Sequence, residues 1–155
     1  MKRLATMCAG LLLAATACAP HANADGMNDI AADAARVPTS QYDFTRCVSY
    51  RESRGHATAR GEHGSAAGRF QFIDRKWRHG LAHMVAMRLH RFGLNRSDAL
   101  AVRGQLRAIP IWRWDATLQT VGFLAVLNAD GPWSGWSHWF LPGSRCNRLV
   151  PVGVR

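Results

Sequence analysis

Apolar residues recur along most of this chain at helical spacing, and a Gly- and Ser-rich stretch interrupts them once. Phe44, Cys47, Val48 and Arg51 fall at i, i+3, i+4 and i+7, which predicts a first core helix with one stripe turned inward. Ser40 or Asp43 can cap its start, and Gly55 stops it. Between Gly55 and Gly68 the chain is mostly Gly, Ala, Ser, His and Arg, as expected of a loop or short irregular hairpin. Phe70-Gln71-Phe72-Ile73 then alternates, so Gln71 should point away from both Phe rings. Asp74 caps a short helix to about His79. Leu81, Val85, Leu89 and Phe92 mark the next helix, which Gly93 ends. Ser97 caps a further segment, Asp98 to Arg107, that stops before Pro110.

The longest apolar run follows. Asp115 caps it, and Leu118, Val121, Leu124 and Ala125 face inward, predicting the central buried helix of an all-helical bundle that ends near Asn128. Trp112 and Trp114 alternate with Arg113 and suggest an exposed platform or a lid. Trp133, Trp136 and Trp139 recur every third residue, so one face of a short helix would carry all three rings, as a glycan wall or as core. The fold class is mainly α: one domain over 41–155, with a small irregular or hairpin segment after its first helix. Residues 25–40, rich in Ala and Asp and containing Pro38, read as a weakly ordered leader.

The first 24 residues read as a signal peptide. Lys2 and Arg3 precede an apolar stretch from Leu11 to Cys18, and Ala22-Asn23-Ala24 offers a small-x-small cleavage site. Cys18 as a lipidation site is the weaker alternative, because the usual Leu three residues upstream is missing. The expected location is therefore secreted or wall-associated. Removing the signal takes Cys8 and Cys18 with it, leaving Cys47 and Cys146 as the one pair available for a bridge in an oxidising compartment. Two cysteines without histidine at ligand spacing do not suggest a metal. His79 and His83, one helical turn apart, lack a third ligand. The net charge of +10 suits a polyanionic partner. The basic residues are scattered, so anionic wall polymers fit an exported chain better than nucleic acid, and charge that serves only solubility fits as well.

Glu52 and Glu62 are the only two glutamates. Glu52 lies near a helix C-terminus, followed by a loop and then an aromatic, amide-bearing segment. That order suits general acid catalysis on a sugar chain, which needs a carboxylic acid held ready beside the leaving oxygen. The helix C-terminus disfavours ionisation of a nearby carboxyl, whereas Arg51 and Arg54 would favour it if their heads lie close, so the net direction stays open. Glu62, in a loop without apolar neighbours, makes the poorer acid. A second carboxylate could come from Asp74, Asp115 or Asp130, but no motif argues for any of them.

Glu52-Ser53, Gly68-Arg69-Phe70-Gln71-Phe72 and Trp77 together resemble the core of the lysozyme-like lytic transglycosylases and resuscitation-promoting factors of bacteria. Leu127-Asn128-Ala129-Asp130-Gly131-Pro132 is similar to that group's Tyr-Asn-Ala-Gly-Pro element, with Leu127 in place of the Tyr and Asp130 inserted before the Gly. The resemblance runs from about Phe44 to Trp139; the insert from Leu94 to Trp114 is foreign to it. It implies a lysozyme-like domain acting on peptidoglycan strands, monomeric and without a cofactor. Glu52 would be the acid/base, and Ser65, Gln71, Trp77, Asn128, Trp133 and Trp136 would bind glycan. The alternatives are a lysozyme-type hydrolase of the same bond, or a non-catalytic wall-binding or resuscitation-type factor.

Overall fold

The structure, a computed structural model, describes residues 24–61, 64–129 and 135–151. The expected signal segment through residue 23, together with Glu62, Asp130 and Trp133, lies outside the described residues. The fold is mainly helical. Helices α1 (Ala24–Ala34) and α2 (Thr39–Ser53) precede a two-stranded antiparallel hairpin, β1 (Ala66–Ala67) and β2 (Phe72–Ile73), with Ala66 opposite Ile73 and Ala67 opposite Phe72. Helices α3 (Asp74–Arg91), α4 (Arg96–Ala108) and α5 (Ala116–Leu127) follow, with short 3₁₀ turns at Ile111–Arg113, Trp136–Trp139 and Arg145–Leu149.

Helix α5 is the central buried helix that its apolar run suggested. Asp115 caps it by accepting from the Thr117 N–H, and Val121, Phe123, Leu124, Val126 and Leu127 are buried. Leu118 and Ala125 are only half-buried. Gly122 lets α3 come close: a Cβ there would stand 3.2 Å from Leu81 Cδ1 and 3.3 Å from Val85 Cγ2. The ring of Phe123 stacks on Phe70 at 4.2 Å and meets Trp139 at 4.5 Å and Phe44 at 6.2 Å. One side chain thus ties α5 to α2, to the hairpin and to the Trp136–Trp139 turn. Truncating it to Ala would cost about 3–5 kcal/mol.

Several local expectations need correcting. The segment expected as a weakly ordered leader contains helix α1, which packs on α3 and α5 with Ala31 and Ala34 buried, so the folded unit begins before residue 41. Arg88 Nε closes α1 by donating to the Ala34 carbonyl at 2.8 Å. The N-cap of α2 is Pro38, with no side-chain cap, so neither Ser40 nor Asp43 plays that part. The two helices expected on either side of Gly80 are one, α3, because burial of Leu81, Ala82, Val85 and Leu89 outweighs the roughly 1 kcal/mol that a mid-helix Gly costs. Asn95, not Ser97, caps α4, accepting from the Asp98 N–H. The insert is α4 laid along α3, followed by a turn. In that turn Trp114 is core, its indole N–H donating to the Leu106 and Ile109 carbonyls, while Trp112 is half-buried between Arg60 and Arg113. The expected platform or lid is therefore at most one ring.

Candidate active site

Helix α2 ends abruptly. Arg54 and Gly55 both adopt left-handed backbone (φ 56° and 84°), and their N–H groups return to the Tyr50 and Ser49 carbonyls. Glu52 therefore sits in the last helical turn, and the chain veers away just beyond it. Both sequence neighbours of Glu52 are anchored. Ser53 Oγ donates to the Arg69 carbonyl at 2.8 Å, which joins α2 to the hairpin. Arg51 Nη2 donates to the Trp139 carbonyl at 2.7 Å and Nη1 to Ser144 Oγ at 3.0 Å. Trp139 closes the ring of contacts, its indole N–H donating to the Phe70 carbonyl at 3.0 Å. The disulfide expected between Cys47 and Cys146 is present, with Cα atoms 5.6 Å apart, and fastens the middle of α2 to the last 3₁₀ turn.

The side chain of Glu52 is about three-quarters buried, and its carboxylate is asymmetrically held. Arg51 donates to Oε1 through Nε at 2.9 Å and also through Nη2, while Oε2 has no hydrogen-bond partner among the described residues. Arg54, the other flanking cation, turns away and lies over the Tyr50 ring at 4.6 Å. Oε1 can accept from Arg51 whether or not Oε2 carries a proton. Among the described residues, Oε2 is therefore the oxygen that no hydrogen bond occupies.

Beyond Trp139 a cleft of about 200 Å³ opens between the hairpin and α3, with Gln71, Trp77 and His138 in its walls; Glu52 is not itself a wall residue. A second depression on the far side of Trp77 shares Lys76 and Trp77 with it and extends to Ala129. Gln71 turns away from the Phe rings, as its alternation with them suggested. Its backbone is left-handed (φ 51°), uncommon outside Gly and Asn, and its side-chain amide donates to the Gly68 carbonyl at 2.9 Å.

The hairpin turn that presents Gln71 rests on Gln119 of α5, which is fully buried. Gln119 Oε1 accepts from the Arg69 N–H at 2.6 Å, and its Nε2 faces the carbonyls of Ala57, Trp114 and Ile111 at 2.9–3.1 Å. Gly68 allows this approach twice over: its φ is +77°, and any Cβ would fall 2.3 Å from Gln119 Oε1.

The other candidates are not gathered at this cleft. Asn128 faces the start of α2, where its amide and that of Gln41 each donate to the other. Gln41 and Glu52 stand eleven residues apart on one helix, about 16 Å along its axis at 1.5 Å per residue. Asn128 thus partners the buried Gln41 amide, and it is not a wall residue of the Gln71–Trp77 cleft. Ser65 is exposed, and its carbonyl accepts from the Asp74 N–H at 2.8 Å. Trp136 is half-buried with its ring edge-on to Phe140, and Trp139 is the core member of the Trp series. Asp74 is buried at the start of α3, bonded to Arg78 and to the Ile111 N–H at 2.8 Å. Burial pushes its carboxyl up, but the bonds from Arg78 and Ile111 and the Arg78 charge together outweigh this and hold it below its ordinary value. Asp115 is spent as an exposed cap, so neither aspartate is placed as a second catalytic carboxylate.

The chain matches no protein-family model, no curated protein and no solved structure. Its site therefore has to be read from its own geometry. On that geometry three residues join the candidates: Arg51, which holds Glu52, Gln119, which holds the hairpin, and His138, edge-on to Trp77 at 4.6 Å. Gln119 carried a visible signal, a long polar side chain inside the most apolar helix. Arg51 occupied an inward position of the α2 stripe, which a cation takes only with partners. His138 carried no comparable signal.

Proposed function

We propose that this protein cleaves the β-1,4 bond between N-acetylmuramic acid and N-acetylglucosamine in peptidoglycan, as a lysozyme-like lytic transglycosylase working outside the cytoplasm. The observation that carries the reading is the single carboxyl of Glu52. It has one oxygen fixed by Arg51 and the other without a partner among the described residues, and the same Arg51 bonds Trp139, a wall residue of the cleft that holds an amide and an indole. Glu52 Oε2–H gives its proton to the glycosidic oxygen as the C1–O bond breaks. The resulting carboxylate removes the proton from the muramic C6 hydroxyl, whose oxygen closes on C1 to give the anhydro sugar. Water in place of that hydroxyl gives hydrolysis.

Other features support the reading. Asp74 and Asp115 are both committed elsewhere, which favours a mechanism with one carboxyl. The paired depressions on either side of Trp77 suit an extended glycan, with the indole offering a face to a sugar ring and Gln71 an amide to an N-acetyl group. The Cys47–Cys146 bridge suits an oxidising compartment.

Glu52→Gln should leave melting intact and reduce release of soluble muropeptides from purified walls by about 10²–10⁴-fold. Mass spectrometry of the parent's products separates anhydro from reducing ends. Unchanged lysis by the Gln variant would remove Glu52 from the chemistry; glycan binding without lysis by the parent would leave a wall-binding factor.

A further inference from the structure

A cavity of about 300 Å³ lies between α2, the hairpin turn at Arg69 and Phe70, and Thr120 of α5, and it shares no wall residue with the Gln71–Trp77 cleft. Its walls hold three guanidinium groups, from Arg46, Arg54 and Arg69, and no carboxylate. Among the described residues none of the three forms an ion pair with an acid. Arg46 and Arg54 are exposed. Arg69 is positioned by the fold, its Nε donating to the Gly55 carbonyl at 3.2 Å and Nη1 to Thr120 Oγ1 at 3.3 Å, which leaves Nη2 uncommitted. Thr45 borders the same cavity. It is 94 % buried, and its hydroxyl is a buried polar group with no hydrogen-bond partner. The rings of Tyr42 and Tyr50, each about half exposed, complete the walls.

Three cations that line one cavity without a counter-charge leave it positively charged, and a buried hydroxyl left unpaired is costly. One bound group relieves both: an oxyanion with several acceptor oxygens, matched to the planar forks of arginine. We propose that this cavity is a binding site for a phosphate group, free or esterified, held by Arg46, Arg54 and Arg69 with Thr45 as a hydroxyl donor. The tyrosine rings give an esterified ligand an apolar surface on which to rest its organic part. The site stands independently of the reaction proposed for Glu52.

Calorimetric titration of the whole protein with inorganic phosphate, and separately with glycerol 3-phosphate, at constant ionic strength tests the assignment. The parent should saturate at one equivalent, with the tighter of the two ligands showing whether the site prefers a free or an esterified group. Arg46→Gln/Arg54→Gln should weaken binding by about tenfold or more, whereas Arg75→Gln/Arg96→Gln, the same loss of charge elsewhere, should bind like the parent. Thr45→Val should weaken binding while leaving the melting temperature equal or higher, since it deletes an unpaired hydroxyl. Equal weakening in the two double variants would mean diffuse charge attraction and would overturn the site. So would a parent that never saturates, or one that adsorbs to phosphatidylglycerol vesicles without binding either small phosphate.

Discussion

Replacing Gln119 by Met removes a hydrogen-bonding hub while nearly conserving the volume of a fully buried side chain. The Ile111 carbonyl keeps another partner, because the Trp114 N–H also reaches it at 3.0 Å. The Arg69 N–H and the carbonyls of Ala57 and Trp114 lose the Gln119 amide. At the low end of about 1–3 kcal/mol for each buried polar group left unpaired, those three give a loss of about 3 kcal/mol. That is a large share of the roughly 5–15 kcal/mol that holds a domain together. Urea unfolding followed by Trp fluorescence measures it directly as a shift in midpoint at constant slope. Gly68→Ala drives a Cβ into the same amide and should cost a comparable amount, so the double variant should lose less than the sum of the two. A Met variant within about 1 kcal/mol of the parent, or strict additivity in the double variant, would refute the claim that Gln119 holds the hairpin.

Further outcomes follow from the same contacts. Reducing Cys47–Cys146, which closes a loop of 99 residues, should remove about 4–5 kcal/mol on the chain-entropy account, and alkylation of unreduced protein should label neither cysteine; two labelled thiols in native material would refute the bridge. Asp74 has a lowered pKa in the folded state, so the unfolded chain binds its proton first. Its stabilisation is complete above the ordinary value of 3.8 and is lost as pH falls through the lower folded value. Asp74→Asn should therefore flatten the acid limb of a stability–pH curve, and an unchanged slope would show that other carboxylates govern it. Trp139→Ala should cost about 3–5 kcal/mol as a core cavity, while Trp77→Ala should cost less and weaken binding of chitin oligomers; the reverse order would exchange the two roles.

What the sequence disclosed depended on whether the deciding interaction was local. Helix α5 was legible because its cap, its length and its apolar run all lie within one short segment. The hairpin was legible only in part: Gly-rich composition suggested a loop or hairpin over Gly55–Gly68, whereas the strands are Ala66–Ala67 and Phe72–Ile73, and Gln71, read as part of an alternating run, lies in the turn. Helix α1 was not, since what secures it is remote: burial of Ala31 and Ala34 against α3 and α5, and the Arg88 bond to Ala34. The continuity of α3 through Gly80 was hidden for the same reason, because propensity sees the glycine and not the helices packed beside it. At the site, Glu52 stood out as one of two glutamates and the one whose surrounding sequence predicts a helix. The pairing of Asn128 was not legible, because a motif fixes neighbours along the chain, whereas its partner Gln41 lies 87 positions away.

The contacts around Glu52 also impose an order in time. Ribosomes deliver α2 with Arg51 and Glu52 well before Trp139, Ser144 and Cys146 exist, yet these later residues supply the carbonyl, the hydroxyl and the sulfur that anchor the helix. Until they emerge, Arg51 lacks both acceptors beyond Glu52, and Trp139 cannot brace the hairpin through Phe70. The carboxyl's surroundings are thus completed only after residues 139–146 have emerged. A nascent chain that stops short of Cys146 would carry the glutamate without its setting, so any activity that depends on that setting waits for residues 139–146.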